Sequence, residues 1–346
     1  MKKHLFFIIL IFIVFAGYIL NTDDRVRVSE RELNVYSARK EHLIKPLLDR
    51  FSEESNVKIN LVTGKGDALL TRLKSEGSNS PADVLITVDA GRLYRAQEAG
   101  VLRSIESQSL NQLIPSHLRS GDNQWFGLSV RARVIVYAME RVKSDQLDTY
   151  ESLADPSWKG RICVRSSSNI YNQSLVASML ASQGIVKTEA WIDGLVGNFA
   201  RSPSGGDRDQ IKAIAAGQCD VAIVNSYYLG GMLKSQDQSE LAAANSVGLH
   251  WPNQNDRGSH INISGAGVTT YSKSPDLATD LIKFLATDSS QEWYANVNNE
   301  FPVRPGVKIS DTLLSWGSFK SDQLSVSKLG SYNTEAIKTM DRAGWK

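Results

Sequence analysis

Three observations predict an α/β fold built as two lobes. Short β-branched runs alternate with longer amphipathic ones along the chain, the pattern of strands joined by helices and therefore of mainly parallel sheets. Two long strand candidates, 122–142 and 260–273, are suited to run between different parts of the molecule and form a hinge of two crossing strands. The 346 residues, 42% apolar and 22% charged, are enough to bury the cores of two domains.

The elements follow in chain order. A basic start, Lys2-Lys3, and sixteen nearly all apolar residues, Leu5 to Leu20, mark an export signal over 1–22. The run is short for a membrane span of about 20 residues, yet no clean small-x-small cleavage site follows, so an uncleaved anchor stays open. No cysteine follows the run, which argues against a lipoprotein. LNVYSA (33–38), VKINLVTG (57–64), ADVLITVD (82–89), VIVYAM (134–139), RICVRS (161–166) and DVAIVNS (220–226) read as strands. HLIKPLLDRFSEES, DALLTRLKSEG, AGRLYRAQEAGVL and RDQIKAIAAG read as helices, the last three ending at or near glycine. Pro46 implies either that the first regular helix starts near Lys45 or that its first turn is irregular. Gly265-Ala266-Gly267 permits a bend in the second crossing strand. The expected division is 31–128 with 262–303 in lobe 1, and 129–261 with 304–346 in lobe 2.

Composition narrows the function. Without Lys2 and Lys3 the chain carries 37 basic and 37 acidic residues, against a nucleic-acid binder, which carries a marked basic excess. Cys163 and Cys219 flank β-type runs, and an even pair in an exported chain predicts a disulfide. TGKGDALLTRL (63–73) lacks both common nucleotide-binding patterns, and RSPSGGDRDQIKAI (201–214) reads as a loop and helix cap with Asp207 near the N-terminus. Neither a G-x-S-x-G elbow nor an H-E-x-x-H motif occurs, so no enzyme activity is expected. One feature is left: Tyr227-Tyr228, between an apolar run and Gly230-Gly231. Neighbours on a regular strand face opposite sides, but at a strand end or on the first turn of a helix two phenols can converge.

The stretches NVYSARKEHLIKPLLDRF, SPADVLITVDAGRLYRAQEAG, SVRARVIVYAMERV, SSSNIYNQSL, GNFARSPSGGDRDQIKAIAAGQCDVAIVNSYYLGG and NISGAGVTTYSKSPDLATDLIKFLAT resemble the periplasmic ferric-ion-binding proteins of ABC transporters, which have the type 2 periplasmic binding protein fold. The resemblance implies Tyr227, Tyr228 and Tyr171 as metal ligands from one lobe. The chemistry agrees: a hard trivalent cation prefers anionic oxygen donors, and a bound cation can deprotonate a phenol whose free pKa is about 10. Many relatives continue the opposite lobe's Y-S-x-R with His-Tyr, where this chain has Lys40-Glu41. Glu41, Tyr36 and His42 are thus alternative lobe 1 ligands.

A carbonate or phosphate anion could complete the coordination. Ser168 and Asn169 lie at a strand-to-helix turn that favours anions, Asn225 holds the spacing of a family anion contact, and Arg39, Arg92, Arg131 and Arg201 could add charge. The implied protein is a monomeric periplasmic carrier of Fe(III) whose partner is an inner-membrane ABC permease. Carriage of a small anion or organic solute on the same fold, a secreted α/β hydrolase, and the sensor of an anchored signalling system stand as alternatives.

Overall fold

The computed structural model describes residues 31–346, and the expected signal or anchor at 1–22 lies outside them. Eight strands form the sheet framework: β1 (Glu32–Ser37), β2 (Lys58–Thr63), β3 (Val84–Val88), β4 (Phe126–Ala138), β5 (Ile162–Cys163), β6 (Val221–Asn225), β7 (Val247–His250) and β8 (Ile261–Val268). Their order is β2-β1-β3-β8-β4-β6-β5, with β7 also beside β4. The βαβ units pair in parallel, β1 with β3 and β5 with β6. The crossing strands run antiparallel to their partners, β8 to β3 and β4 to β8, β6 and β7. β4 joins the two halves: its first part pairs with β8, as in Val130↔Ile263, and its second with β6, as in Val134↔Val224.

The helices described are α1 (Lys45–Ser55), α2 (Gly66–Glu76), α3 (Ala90–Glu98), α4 (Gln108–Leu113), α5 (Ile170–Gln183), α6 (Ile185–Gly197), α7 (Asp207–Ala215), α8 (Ser226–Leu233), α9 (Gln238–Asn245), α10 (Pro275–Leu285), α11 (Asp288–Val297), α12 (Asp311–Ser315), α13 (Ser327–Ser331) and α14 (Asn333–Arg342). Pro46 takes the second position of α1, where its missing N–H has no intrahelical partner to lose.

One expected strand is shorter than its sequence suggests. RICVRS narrows to the two residues of β5, because the carbonyls of Arg165 and Ser166 accept from the Asn172 side chain at 2.9 and 3.2 Å rather than from a strand. The glycines of β8 serve close packing: a Cβ on Gly265 or Gly267 would lie 2.6 Å from the Phe126 carbonyl or 2.5 Å from that of Gln124. The pairing of β4 with β8 shifts register between Gly127 and Ser129.

Cys163 on β5 and Cys219 just before β6 form a disulfide, with Cα atoms 5.8 Å apart across neighbouring strands. It closes a long loop, so replacing both cysteines with alanine should lower unfolding free energy by about 4 kcal/mol in the chain-entropy picture. Urea unfolding of the two proteins checks this. A loss below about 1 kcal/mol would show that the loop is restrained by other contacts.

Candidate metal centre

β6 ends at Asn225 and α8 begins at Ser226, so Tyr227 and Tyr228 stand on the first turn of a helix. Consecutive helical side chains diverge by only about 100°, and here the two rings lie 4.3 Å apart with planes 31° from parallel. Gly230 lets this helix approach the 299 segment, since a Cβ there would sit 2.8 Å from Asn299 Cβ. Tyr171, the second residue of α5, comes from the same half, and the Tyr227 hydroxyl donates to its oxygen at 3.4 Å. Three phenol groups thus share one wall of a cavity of about 410 Å³.

The rest of the lining mixes basic side chains with apolar and amide ones. Arg39, Lys40, His42, Arg131 and Arg208 face the cavity with Asn299 and Glu300. Arg39 is neutralised by a buried two-point pair with Glu300, at 3.0 and 3.1 Å, and Arg208 pairs with Glu240 at 2.5 Å. Arg131 differs. It is 2% exposed, its Nη2 donates to the Ile263 carbonyl at 2.6 Å, and its Nε and Nη1 have no protein partner. Its guanidinium lies over the Tyr171 ring, 5.3 Å from the centroid, and Arg165 lies 5.5 Å from the same centroid.

Burial pushes the Tyr227 phenol well above its ordinary pKa, and negative charge on Tyr171 and Tyr228 would push it further, while Arg131 opposes the rise. Tyr228 is raised for the same first reason, with Arg165 opposing. Both phenols are therefore protonated at neutral pH. Behind them Asp207, fully buried, accepts from Arg133 at 3.0 Å and from the Asn225 backbone at 2.9 Å, and is also paired with Arg165. The residue read as a helix cap thus anchors the wall that carries the tyrosines.

The other expected donors are placed differently. Tyr36 is 1% exposed, its hydroxyl donates to Glu76 at 3.0 Å and Arg72 covers its ring. Because β1 turns this side chain toward α2, it does not reach the cavity. Glu41 is exposed, and although Lys40, His42 and Leu43 line the cavity, Glu41 does not. Ser168 shares a hydrogen bond with Ser166 at 2.9 Å, and Asn169 caps α5 by accepting from Tyr171 N at 3.1 Å. Asn225 faces Arg133, Arg92 pairs with Asp67 and Arg201 bonds Ser204 and Gln210. Sequence reasoning missed Arg165, Arg208 and Glu300, whose spacing in the chain carries no motif. Among the described residues no group of three or more His, Cys, Asp or Glu side chains gathers into a metal site; the donors that gather are phenols.

Residues 47–320 match the model of the bacterial extracellular solute-binding proteins. The chain is 47% identical to iron uptake protein A1 of Synechocystis, over 92% of this chain and 88% of that one. It is 27% identical to the Fe(3+)-binding periplasmic protein of Serratia marcescens, over 91% of each. Among solved structures, Trichodesmium IdiA (FutA) in complex with iron and citrate superposes with a TM-score of 0.89 at 50% identity, covering 91% of this chain and all of that one. The Mannheimia haemolytica ferric iron-binding protein A in an open conformation superposes at 0.86 with 41% identity, covering 91% and 99%.

Proposed function

Because the chain belongs to the bacterial extracellular solute-binding proteins, we propose that it captures ferric iron in the cleft between its halves and delivers it to an ABC transporter permease. The convergence of Tyr171, Tyr227 and Tyr228 beside Arg131, two of whose nitrogens have no protein partner, carries this reading. Three phenolates neutralise a trivalent ion and supply the hard oxygens that it prefers. The opposite wall offers Lys40 and His42, and its one carboxylate, Glu300, is held by Arg39. An exogenous anion such as carbonate, phosphate or the citrate bound to the Trichodesmium relative then fills the remaining coordination, with Arg131 as its counter-charge. The protein works in the periplasm as a monomer, with 31–128 and 262–303 in one lobe and 129–261 and 304–346 in the other.

Closure about β4 brings the cationic wall onto the loaded tyrosines. Titration of the iron-free protein with ferric ion should give a visible phenolate-to-iron charge-transfer band and a smaller radius of gyration by small-angle scattering. A colourless protein that binds no ferric ion near neutral pH, with carbonate, phosphate and citrate each supplied, overturns the reading.

Loading must also expel protons. Tyr227 and Tyr228 have raised pKa values, so they are neutral before binding and ionised after it. Proton release drives binding as pH rises, and affinity falls as pH falls. Calorimetry in buffers of different ionisation enthalpy should count about one proton released per phenol ligand at neutral pH. Binding without proton release would remove the phenols from the coordination.

A further inference from the structure

The last twenty residues are packed against both halves. Leu329 of α13 is buried in the hydrophobic cluster that holds Leu93 of α3, whereas Ala336 and Met340 of α14 and Trp345 are buried in the cluster of Leu175 and Ile192. The contact with α3 is close: a Cβ on Gly330 would lie 2.2 Å from Tyr94 Cβ. The segment is also bonded to the turn that precedes Tyr171. The Trp345 indole N–H donates to the Arg165 carbonyl at 2.9 Å, and Ser167 N donates to the Lys346 carbonyl at 3.2 Å. From the other half, Arg95 of α3 donates to Asn333 at 3.2 Å, Asn333 donates to Gln173 at 3.2 Å, and Gln173 donates to the Ser167 carbonyl at 3.0 Å. A chain of side chains therefore runs from α3 in one half through α14 to the 165–169 turn in the other.

That turn sets two groups of the site, the Arg165 guanidinium and, through the Asn169 cap, the start of the helix bearing Tyr171. We propose that Ser327–Lys346 is a clasp that ties this turn to the opposite half, with Trp345 and Asn333 as positioning residues for Tyr171. The proposal rests on the ferric reading above. When the halves move, α3 carries Arg95 with it, and Asn333 passes the displacement to the turn. The grip of Tyr171 on the cargo is thereby coupled to closure, by a contiguous path with a defined donor and acceptor at each step.

Trp345→Phe keeps the ring contact with Phe199, whose centroid is 5.6 Å away, but removes the indole donor. Asn333→Leu cuts the link to Arg95 and Gln173 and is the second variant should Trp345→Phe fold poorly. In the full chain each should speed amide exchange of residues 167–173 in the iron-free protein, and ferric release to excess EDTA, by about three- to tenfold. The charge-transfer band should shift in both. In a Tyr171→Phe background neither should speed release further, which separates positioning of Tyr171 from a general loss of stability. Unchanged exchange and release, or an equal acceleration in the Tyr171→Phe background, overturns the clasp. If the unmodified protein gives no ferric band, the functional reading fails by itself, and amide exchange alone then decides whether the clasp holds the turn.

Discussion

Tyr227→Phe combined with Tyr228→Phe should lower ferric affinity by about four orders of magnitude while leaving the fold intact. Each phenylalanine keeps its ring on the first turn of α8, where the two rings pack 4.3 Å apart, so the apolar contacts survive. What is lost is two anionic oxygens on a trivalent ion. Removing groups that only support metal ligands already costs 10–100-fold in affinity, and direct donors lie at or beyond the upper end of that range, about a hundredfold each. Burial raises both phenol pKa values, so at neutral pH the hydroxyls are neutral in the unloaded protein and their removal strips no buried charge of a partner. Chelator competition should show the loss, with Tm unchanged within a few degrees. Wild-type affinity and colour in the double variant would show that the pair is structural.

The second large effect is on stability. Asp207→Ala should destabilise the protein by about 3–5 kcal/mol, the usual consequence of breaking one side of a buried ion pair. Asp207 is 0% exposed and Arg133 2%, so truncation strands a guanidinium that water cannot reach. It also frees Arg165 from beside Tyr171 and leaves Asn225 N, next to the tyrosine helix, without its acceptor. Iron binding should therefore weaken at temperatures where the variant is still folded. Asp207→Asn retains an acceptor oxygen and should fall between the two proteins in urea unfolding. A loss under about 1 kcal/mol for the alanine variant would mean that Arg133 is held by Asn172, Asn225 and the Ile223 carbonyl, its other partners.

Much of the framework was legible because it is local. The continuous apolar run in DVAIVNS and the period of 3.6 in the helices depend on neighbours within a turn or a strand, as does the cap role of Gly77 after α2. Adjacency made the tyrosine pair visible, and oxidising export made the cysteines a disulfide before any distance was known. The packing role of Gly265 and Gly267 was hidden for the opposite reason: what those glycines accommodate is the backbone of residues 124 and 126, far away in sequence.

The sequence alone determined which chemistry the chain can offer: phenol oxygens in place of imidazole or thiolate clusters, on alternating strands and helices, with no surplus of charge for nucleic acid. Only the tertiary structure decided which residues present that chemistry to one another. Tyr36 and Tyr171 are alike as residues, yet one is hydrogen-bonded to Glu76 and the other stands between Arg131 and Arg165. Arg39 meets Glu300 across 261 residues in a two-point ion pair whose charges cancel, while Arg131 forms no direct ion pair and keeps two unpartnered guanidinium nitrogens beside the phenols. The physical reason is that burial and pairing set the energy of a charge, and both are properties of the packed neighbourhood, which brings together residues that no local pattern connects.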